Sequence, residues 1–318
     1  MEGDPQRILV TGASGFVGRR LLAALRQRFP QARVIGTDRS GQAAGDGEAR
    51  ALDILDADAV DSVIAEIQPD AVIHLAALAA VQDSVRDPRA TWRVNVMGTL
   101  EVVMALQRHV PDCHLLYISS AEVYGRTAFS GDPVMEEMAL QPANPYAASK
   151  AAADLLVREA TGRGLFATIV RPFNHTGPGQ DDRFVIPAFC SQVARIERGL
   201  QPSEMLVGEL NDERDFLDAD DVVQLYVRII EQGQRLPPGL VLNASSGVSR
   251  RIGDILSSIL AASPAKITVK VDPSRLRATR VPRIVGDASR ALNVLGWTPS
   301  KPFDQTLAET LDYWRSRV

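Results

Sequence analysis

Residues 7–28 read RILVTGASGFVGRRLLAALRQR, a short apolar strand followed by a glycine-rich turn and an amphipathic helix. Gly12, Gly15 and Gly18 occupy the turn. Without side chains they let the backbone turn tightly and approach a pyrophosphate at the positive end of the helix. Their spacing differs by one residue from the commoner dinucleotide fingerprint, and glycine clusters can serve only as turns. The strand before them and the helix after them favour a dinucleotide site.

An acidic residue about 20 positions onward agrees with this interpretation. Asp38 ends a second predicted strand, Ala32 to Asp38, where a carboxylate can bind the ribose hydroxyls of adenosine and repel a 2′-phosphate. This favours NAD over NADP. Arg39 and Arg19 leave NADP open, because either guanidinium can hold a phosphate, although both also suit a solvated surface. Asp53 can bind the adenine amino group or cap a helix.

Strands and helices continue to alternate along the chain. Helices are predicted over 60–67, 91–108 and 145–161, and strands over 71–74, 114–119 and 165–170. This alternation predicts an α/β fold, a Rossmann-type doubly wound parallel sheet. Beyond Arg171 the pattern becomes irregular, with helices predicted over 186–198 and 222–231, a loop over 208–215 and helical turns towards Trp314. We predict a dinucleotide-binding domain over 1–174 and a smaller mixed α/β substrate domain over 175–318, some segments of which return to the first.

Tyr146 and Lys150 form the segment YAASK, and their four-residue separation places both on one face of a helix. A nearby ammonium stabilises tyrosinate, so we expect a lowered tyrosine pKa and a phenol that exchanges a proton with a substrate oxygen. The lysine can also bind the nicotinamide ribose. A packed aromatic and a solvated charge are the alternative. The position after the fifth strand and its serine favours catalysis.

That serine lies in ISSAEVYG, at the carboxyl end of a predicted central strand, where doubly wound sheets place ligand-binding groups. We expect Ser120 to bind the reacting oxygen, with Ser119 as the competing residue. Glu122 could abstract a proton beside a carbonyl, hold a sugar hydroxyl or cap local backbone. Asn95 could order the active-site helix or a water, or make an internal hydrogen bond, and His74 is expected to be structural.

Bulk properties exclude several other classes. The 318 residues carry a formal net charge of -4, which gives no indication of a nucleic-acid or membrane partner. The amino terminus MEGDPQRILV lacks the apolar core of a secretory signal, so a cytoplasmic location is expected. Cys113 and Cys190 lie far apart without metal-ligand spacing, so neither a disulfide nor a metal site is predicted.

Taken together, TGASGFVG, Asp38, HLAA from His74, NVMGT around Asn95, ISSAEVYG and YAASK resemble the extended short-chain dehydrogenase/reductase family, that of the NAD-dependent epimerases and dehydratases. The resemblance covers nearly the whole chain. It implies an NAD(P)-dependent nucleotide-sugar oxidoreductase that acts as a homodimer through the helices near 91–108 and 145–161. Besides Gly12, Gly15, Gly18, Asp38, Arg39, Asp53, Tyr146 and Lys150, the cofactor contacts that it implies are Phe16, Val17, Ile54, Leu75, Ala76, Ala77, Asn95 and Pro172.

Three later segments narrow the resemblance: RPFNHTGPGQ from Arg171, RDFLDADDVV from Arg214 and VDPSRLRATRVPRIVGDASRA from Val271 look like the GDP-4-keto-6-deoxy-D-mannose reductases. This implies hydride delivery to the C4 ketone while Tyr146 supplies the proton, giving GDP-D-rhamnose. Asn174 would contact the sugar-nucleotide, and Arg214 and Arg277 would pair with its diphosphate. Arg280 stands where these reductases usually carry an acid, and arginine has no acceptor, so the preference for guanine is open.

Two other functions remain open. Glu122 suits a GDP-mannose 4,6-dehydratase, or another dehydratase or epimerase, in which a tightly bound cofactor is reduced and reoxidised in one turnover. A non-catalytic dinucleotide sensor would keep the three glycines but would not need Tyr146 and Lys150, so the presence of that pair argues against it.

Overall fold

A computed structural model describes residues 3–42, 47–276 and 281–318 of the chain. Its strands are β1 (Arg7–Thr11), β2 (Arg33–Asp38), β3 (Ala49–Ala51), β4 (Ala71–His74), β5 (His114–Ile118), β6 (Ala167–Pro172), β7 (Asn174–Thr176), β8 (Glu204–Val207), β9 (Glu213–Asp218), β10 (Leu240–Ala244), β11 (Ser249–Arg251), β12 (Thr268–Val271) and β13 (Arg283–Ile284). Its helices are α1 (Phe16–Arg28), α2 (Ala57–Ile67), α3 (Val81–Arg86), α4 (Pro88–Trp92), α5 (Gly98–His109), α6 (Pro145–Gly162), α7 (Val185–Glu197), α8 (Ala219–Gln232), α9 (Ile252–Ala261), α10 (Ser289–Leu295) and α11 (Phe303–Arg315).

Seven parallel strands form the central sheet in the order β10-β6-β5-β4-β1-β2-β3. The central strands are apolar and fully buried, as expected for a parallel sheet covered by helices on both faces. One face packs against α1 and α8, and the other packs against α2, α5 and α6. The chain reverses its direction of travel across the sheet beside β1, which creates the crevice where doubly wound folds bind ligands. The predicted fold class is confirmed.

The region after residue 174 contains two smaller sheets and its own apolar core. β9 pairs with β7, β11 and β13, and β8 pairs with β12. Helices α7, α9 and α11 pack on these strands through a separate apolar cluster. Two segments of this region return to the seven-stranded sheet and its helices: β10 pairs with β6, and α8 packs against α1. The boundary at residue 174 stays a prediction.

Local sequence explains where the site-bearing helices begin. Asn144 caps α6, since its side-chain oxygen accepts a hydrogen bond from the Ala147 amide at 2.8 Å, and Pro145 follows as the first helical residue. Between α4 and α5 a π-helical turn spans Arg93–Met97 and contains the buried Asn95.

One predicted loop was wrong at its end. The expected loop over 208–215 overlaps β9, which begins at Glu213. Arg214 and Asp215 are charged, so the segment reads as solvated, but both are buried in the structure. The Asp215 carboxylate accepts hydrogen bonds from the backbone of Ser246, Gly247 and Gly286, and these bonds offset the cost of burying it.

Candidate active site

A cleft of about 1620 Å³ opens at the carboxyl ends of the central strands, between the seven-stranded sheet and the second region. The predicted cofactor residues that line it are Gly12, Gly15, Phe16, Val17, Gly18, Asp38, Arg39, Asp53, Ile54, Leu75, Ala76, Ala77, Tyr146, Lys150 and Pro172. Ser120, Glu122, Asn174 and Arg214 line it as well. Residues from distant parts of the sequence therefore meet in one concave site, as expected for a ligand-binding enzyme.

The glycine turn between β1 and α1 leaves no room for side chains. Gly12 has a φ of +70°, and a Cβ there would lie 2.7 Å from the Ala76 amide nitrogen. A Cβ on Gly18 would lie 2.5 Å from the Gly12 carbonyl oxygen. The turn can therefore pack against the 75–77 loop and leave the amino end of α1 open to the cleft, where the helix dipole favours a pyrophosphate.

Asp38 offers an acceptor at the end of β2. Its Oδ1 accepts hydrogen bonds from the Ser40 amide and hydroxyl, both at 2.7 Å. Its Oδ2 is buried and has no hydrogen-bond partner within the described residues. Burial alone would raise the carboxyl pKa, but the hydrogen bonds from Ser40, with further contributions from Ser14 and Gly41, together outweigh it and hold the pKa below its ordinary value. A carboxylate that lines the cleft at the end of β2 fits a ribose diol, so the residues present fit a dinucleotide.

The neighbouring charged residues are placed as follows. Arg39 lines the cleft beside Asp38, and Arg19 donates a hydrogen bond to the Ser14 carbonyl within the glycine turn. Asp53 Oδ1 accepts a hydrogen bond from the Leu55 amide at 3.0 Å in the turn before α2, and the residue that caps this helix is Asp56. The other oxygen of Asp53 stays available for the predicted adenine contact.

The two candidate serines point in different directions. Ser119 Oγ donates a 2.7 Å hydrogen bond to the buried Asp154 carboxylate on α6. Ser120 Oγ accepts a 3.2 Å bond from the Glu122 amide and faces the Tyr146 phenol, whose pKa it acts to lower. This geometry favours Ser120 as the residue that reaches a reacting oxygen, and its catalytic role stays a prediction.

Tyr146 lies at the start of α6 with its ring 9% exposed. Burial raises its pKa to about 12, against the lowering effect of the hydrogen bond with Ser120. The sequence-based expectation of a lowered pKa was therefore wrong for the protein alone. The Lys150 ammonium hydrogen-bonds the Ile118 carbonyl. Desolvation of the phenol is the largest influence on the Tyr146 pKa, and it raises that pKa. The Tyr146 phenol therefore holds its proton at neutral pH.

Lys150 follows one turn later and is 4% exposed. Its Nζ donates a hydrogen bond to the Ile118 carbonyl at the end of β5 and lies 4.7 Å from the centre of the Tyr117 ring. Burial lowers the lysine pKa to about 7, while the Asp154 carboxylate acts in the opposite direction. The chain thus brings Ser120, just after β5, to the same cleft as Tyr146 and Lys150 on α6.

Glu122 is held by the helix that carries Tyr146. The Asn144 amide that caps α6 donates a 3.1 Å hydrogen bond to Glu122 Oε2, so the carboxylate is oriented at the cleft wall. The carboxylate also acts to raise the Tyr146 pKa. None of its three predicted roles is decided by this position.

Asn95 and His74 lie behind the cleft. The Asn95 side chain accepts a bond from the Leu78 amide at 2.8 Å and donates to the Leu78 carbonyl and the Ser149 hydroxyl. It therefore ties the 75–80 loop to α6, and its predicted cofactor contact would act through that loop. His74 bonds to Thr11 and Thr99, and burial lowers its pKa to about 3, so it is a neutral internal residue.

The substrate side of the cleft holds Asn174 at the start of β7 and Arg214 on β9. Arg214 is 7% exposed, and its guanidinium contacts the Asp212 carboxylate at 3.1 Å and the Glu213 carbonyl at 2.8 Å. These contacts hold the guanidinium at the cleft wall. Arg277 and Arg280 lie outside the described residues.

Sequence reasoning missed two features of the site. Asp154 and Arg171 form a buried ion pair behind α6, a pairing whose one sequence signal is that Asp154 follows Lys150 by four residues. Arg183 and Asp83 form a 3.0 Å ion pair that joins α3 to the loop before α7, and both line the cleft. No local pattern indicates that second contact.

Comparison with known proteins identifies the relatives. A family model described as GDP-mannose 4,6 dehydratase matches residues 9–310. GDP-6-deoxy-D-mannose reductase of Pseudomonas aeruginosa is 36% identical over 314 residues, 98% of each chain.

Two solved structures are also similar. RMD from Pseudomonas aeruginosa complexed with NADPH has a TM-score of 0.84 at 35% identity, over 98% of this chain and 100% of the other. UDP-glucose 4-epimerase of Thermus thermophilus in complex with NAD has a TM-score of 0.82 at 27% identity, over 98% and 100%. The resemblance read from the sequence is confirmed.

Proposed function

Because the chain belongs to the GDP-mannose 4,6-dehydratase family, whose members are NAD(P)-dependent nucleotide-sugar enzymes, we propose that it reduces a nucleotide-linked 4-ketosugar. The substrate that we propose is GDP-4-keto-6-deoxy-D-mannose and the product is GDP-D-rhamnose. The convergence of Ser120, Tyr146 and Lys150 beside the glycine turn carries the proposal. The similarity to a GDP-6-deoxy-D-mannose reductase over 98% of the chain supports the sugar.

The cleft suits ketone reduction because its acid starts in the protonated form. A reduced NAD or NADP bound along the glycine turn would supply the hydride. Ser120 would hydrogen-bond the C4 carbonyl oxygen, and Tyr146 would give that oxygen its phenolic proton. The C=O double bond thereby becomes C–H and O–H, and the phenolate would regain its proton from solvent. A phenol with a pKa near 12 holds its proton at neutral pH, as this direction requires.

The remaining residues would bind and orient. The Lys150 ammonium would stabilise the developing phenolate and bind the nicotinamide ribose. Asp38 would accept hydrogen bonds from the adenosine ribose, which supports a preference for NADH. Asn174 would contact the sugar, and Arg214 would pair with the diphosphate because its guanidinium is held at the cleft wall.

A direct assay tests the proposal. Purified protein is incubated with GDP-4-keto-6-deoxymannose and NADH or NADPH, and loss of reduced cofactor is followed while NMR identifies the sugar. We expect cofactor oxidation matched one for one by a 6-deoxyhexose. The dTDP- and UDP-linked 4-keto-6-deoxyhexoses, run in parallel, report whether guanine is preferred. No oxidation of either cofactor with any of the three would refute the reductase assignment.

The second candidate is a GDP-mannose 4,6-dehydratase, favoured by the placement of Glu122 at the cleft wall. That reaction begins by oxidising C4, so Tyr146 would first have to act as a base, and the cofactor would be reduced before it is reoxidised. Incubation with GDP-mannose separates the two. Conversion to the 4-keto-6-deoxy sugar without net cofactor consumption would support the dehydratase.

A homodimer through α4 to α6 is also proposed. Trp92, Met97, Met104 and Leu155 are large apolar residues on these helices that are between 42% and 53% exposed. Burying such side chains against a second copy is favourable. We expect Leu155→Lys combined with Met104→Lys to give monomers in sedimentation analysis, and an unchanged mass would contradict this interface.

Within the described residues no helix has the length and apolarity to cross a bilayer. A cytoplasmic location is proposed.

A further inference from the structure

Directly behind the site lies an ion pair that water does not reach. Arg171 on β6 and Asp154 on α6 both have fully buried side chains. The guanidinium grips both carboxylate oxygens, Nε to Oδ2 and Nη2 to Oδ1, each at 2.9 Å. This two-bond contact is rigid and directional. Removing both charges from water costs free energy, so a buried ion pair is by itself weak evidence that the contact stabilises the fold. Its placement points to another use.

Asp154 stands in helical register with the proposed catalytic pair. Tyr146, Lys150 and Asp154 follow one another at four-residue intervals, so their side chains lie along one face of α6. Lys150 is buried between this face and the end of β5, where its ammonium meets the Ile118 carbonyl and the Tyr117 ring. The Asp154 charge lies one turn along the same face from the ammonium.

Asp154 also fixes the strand that carries the serine. Ser119 Oγ donates to Asp154 Oδ2 at 2.7 Å, the same oxygen that Arg171 Nε contacts. Ser119 precedes Ser120 directly, so this bond sets the position of the β5 end relative to α6. One carboxylate thus connects the strand and the helix that hold the two proposed catalytic elements.

Arg171 is anchored on its other side. Its Nη1 donates to the Tyr124 hydroxyl at 3.0 Å and to the Glu136 carbonyl at 2.9 Å. The Tyr124 hydroxyl in turn donates to Asn243 Oδ1 on β10 at 2.7 Å. The guanidinium is therefore held from three elements and keeps the carboxylate in a single orientation.

The ionisable groups around Lys150 differ in their charge. His74 on β4 is neutral, and the phenols of Tyr117 and Tyr146 hold their protons because burial raises their pKa values. Arg171 on β6 is a cation, and Asp154 is the carboxylate that favours a protonated lysine against desolvation. Glu122 lies on the Tyr146 side of the cleft.

We propose that the Arg171–Asp154 pair is a positioning device that fixes a negative charge one helical turn from Lys150 and so favours the protonated form of this buried lysine. Asp154 supplies the counter-charge, and Arg171 holds that carboxylate in place through two 2.9 Å hydrogen bonds. The inference rests on the proposed function in one respect: the ammonium of Lys150 matters because it stabilises the Tyr146 phenolate.

The lysine itself can be observed directly. The chain has four lysines, Lys150, Lys266, Lys270 and Lys301, so labelling lysine with ¹³C at Cε gives a spectrum with one signal for each. Lys150→Met identifies the signal of Lys150. Its chemical shift against pH reports protonation without any requirement for substrate or turnover.

The decisive variant is Asp154→Asn, which keeps the shape and removes the charge. We expect the Lys150 titration midpoint to fall by about one pH unit or more, from the loss of a unit charge one helical turn away. Glu159→Gln is the matched control, because it breaks the exposed 2.8 Å ion pair with Arg163 on the same helix. The control should leave the midpoint where it is.

If Asp154→Asn does not fold, Asp154→Asn combined with Arg171→Met removes both charges and leaves no unpaired ion. The midpoint should then fall by a smaller amount in the same direction, because the nearer anion and the farther cation are lost together. A midpoint within about 0.2 pH units of the wild-type value in a folded variant overturns the proposal.

Turnover measurements separate this inference from the proposed function. We expect the alkaline limb of the kcat profile to move to lower pH in Asp154→Asn, with KM little changed. If the lysine midpoint falls but the folded wild-type protein reduces no ketosugar, the positioning inference stands and the proposed function fails. An unmoved lysine midpoint with a normal wild-type reaction gives the reverse conclusion.

Discussion

Two histidines, His74 and His114, are buried in the seven-stranded sheet, and they should make the stability of the fold sensitive to acid. Burial lowers the pKa of His74 to about 3 and that of His114 to about 4, against an ordinary value of 6.5. Both are neutral when folded, while an unfolded chain protonates them as pH falls through 6.5. Their stabilising contribution is therefore present above about pH 6.5 and is lost on acidification.

The size of the loss follows from the two pKa values. When the pH falls from about 7 to about 5, each histidine lowers the free energy of unfolding by about 2 kcal/mol. The side chain takes up a proton in the unfolded chain but stays neutral in the folded protein. We test this with His114→Gln, which places an amide where His114 Nε2 contacts the Thr168 hydroxyl at 2.9 Å. Over this pH range the free energy of unfolding of the variant should fall by about 2 kcal/mol less than that of the wild type.

Urea unfolding at both pH values measures the difference. Other groups titrate in this range, so the comparison between variant and wild type isolates His114. Phe166→Leu is a control, since it removes the ring 4.5 Å from His114 and leaves the titrating group, so its destabilisation should be the same at both pH values. Equal acid sensitivity of His114→Gln and the wild type would show that His114 is not held neutral.

Three further predictions concern the site. Tyr146→Phe should keep cofactor affinity, measured by nicotinamide fluorescence, and lower kcat by roughly 10²–10⁴ because the transferable proton is gone; turnover near wild type would refute the acid. Gly12→Ala should weaken cofactor binding by at least about tenfold, since its +70° φ and the 2.7 Å approach to Ala76 leave no room for a Cβ; unchanged titration calorimetry would contradict this. Asp38→Asn should narrow the preference for NADH over NADPH by about tenfold in kcat/KM, because the carboxylate charge that repels a 2′-phosphate is removed; an unaltered ratio would assign selectivity to another residue.

The hydrophobic pattern of the sequence was enough to predict the seven-stranded sheet and the helices beside it. The strand at residues 7–11 contains a continuous apolar run and the helix after it buries one apolar face, and both patterns are visible in a single sequence. β9 escaped prediction because its charged residues are buried. Arg214 pairs with the nearby Asp212, and Asp215 accepts hydrogen bonds from backbone amides more than 30 residues away, which no local signal reveals.

The site was predicted as a set of residues but not as a network. Sequence placed Tyr146 and Lys150 on one helical face, and the structure brings Ser120 to them. The choice between Ser119 and Ser120 required knowing that Asp154 binds the first of them. The direction of the Tyr146 pKa was mistaken because desolvation depends on packing, which the sequence does not express.

The return of β10 to the central sheet has a practical consequence for anyone who divides this protein. β10 contributes the seventh strand and pairs with β6 along five residues, from Leu240 to Ala244. A fragment that stops at residue 174 would leave β6 as a bare edge, with unpaired amides and carbonyls along an apolar strand. Such an edge recruits other strands, so we expect the isolated fragment to aggregate, whereas co-expression with the remainder of the chain would restore the missing neighbour.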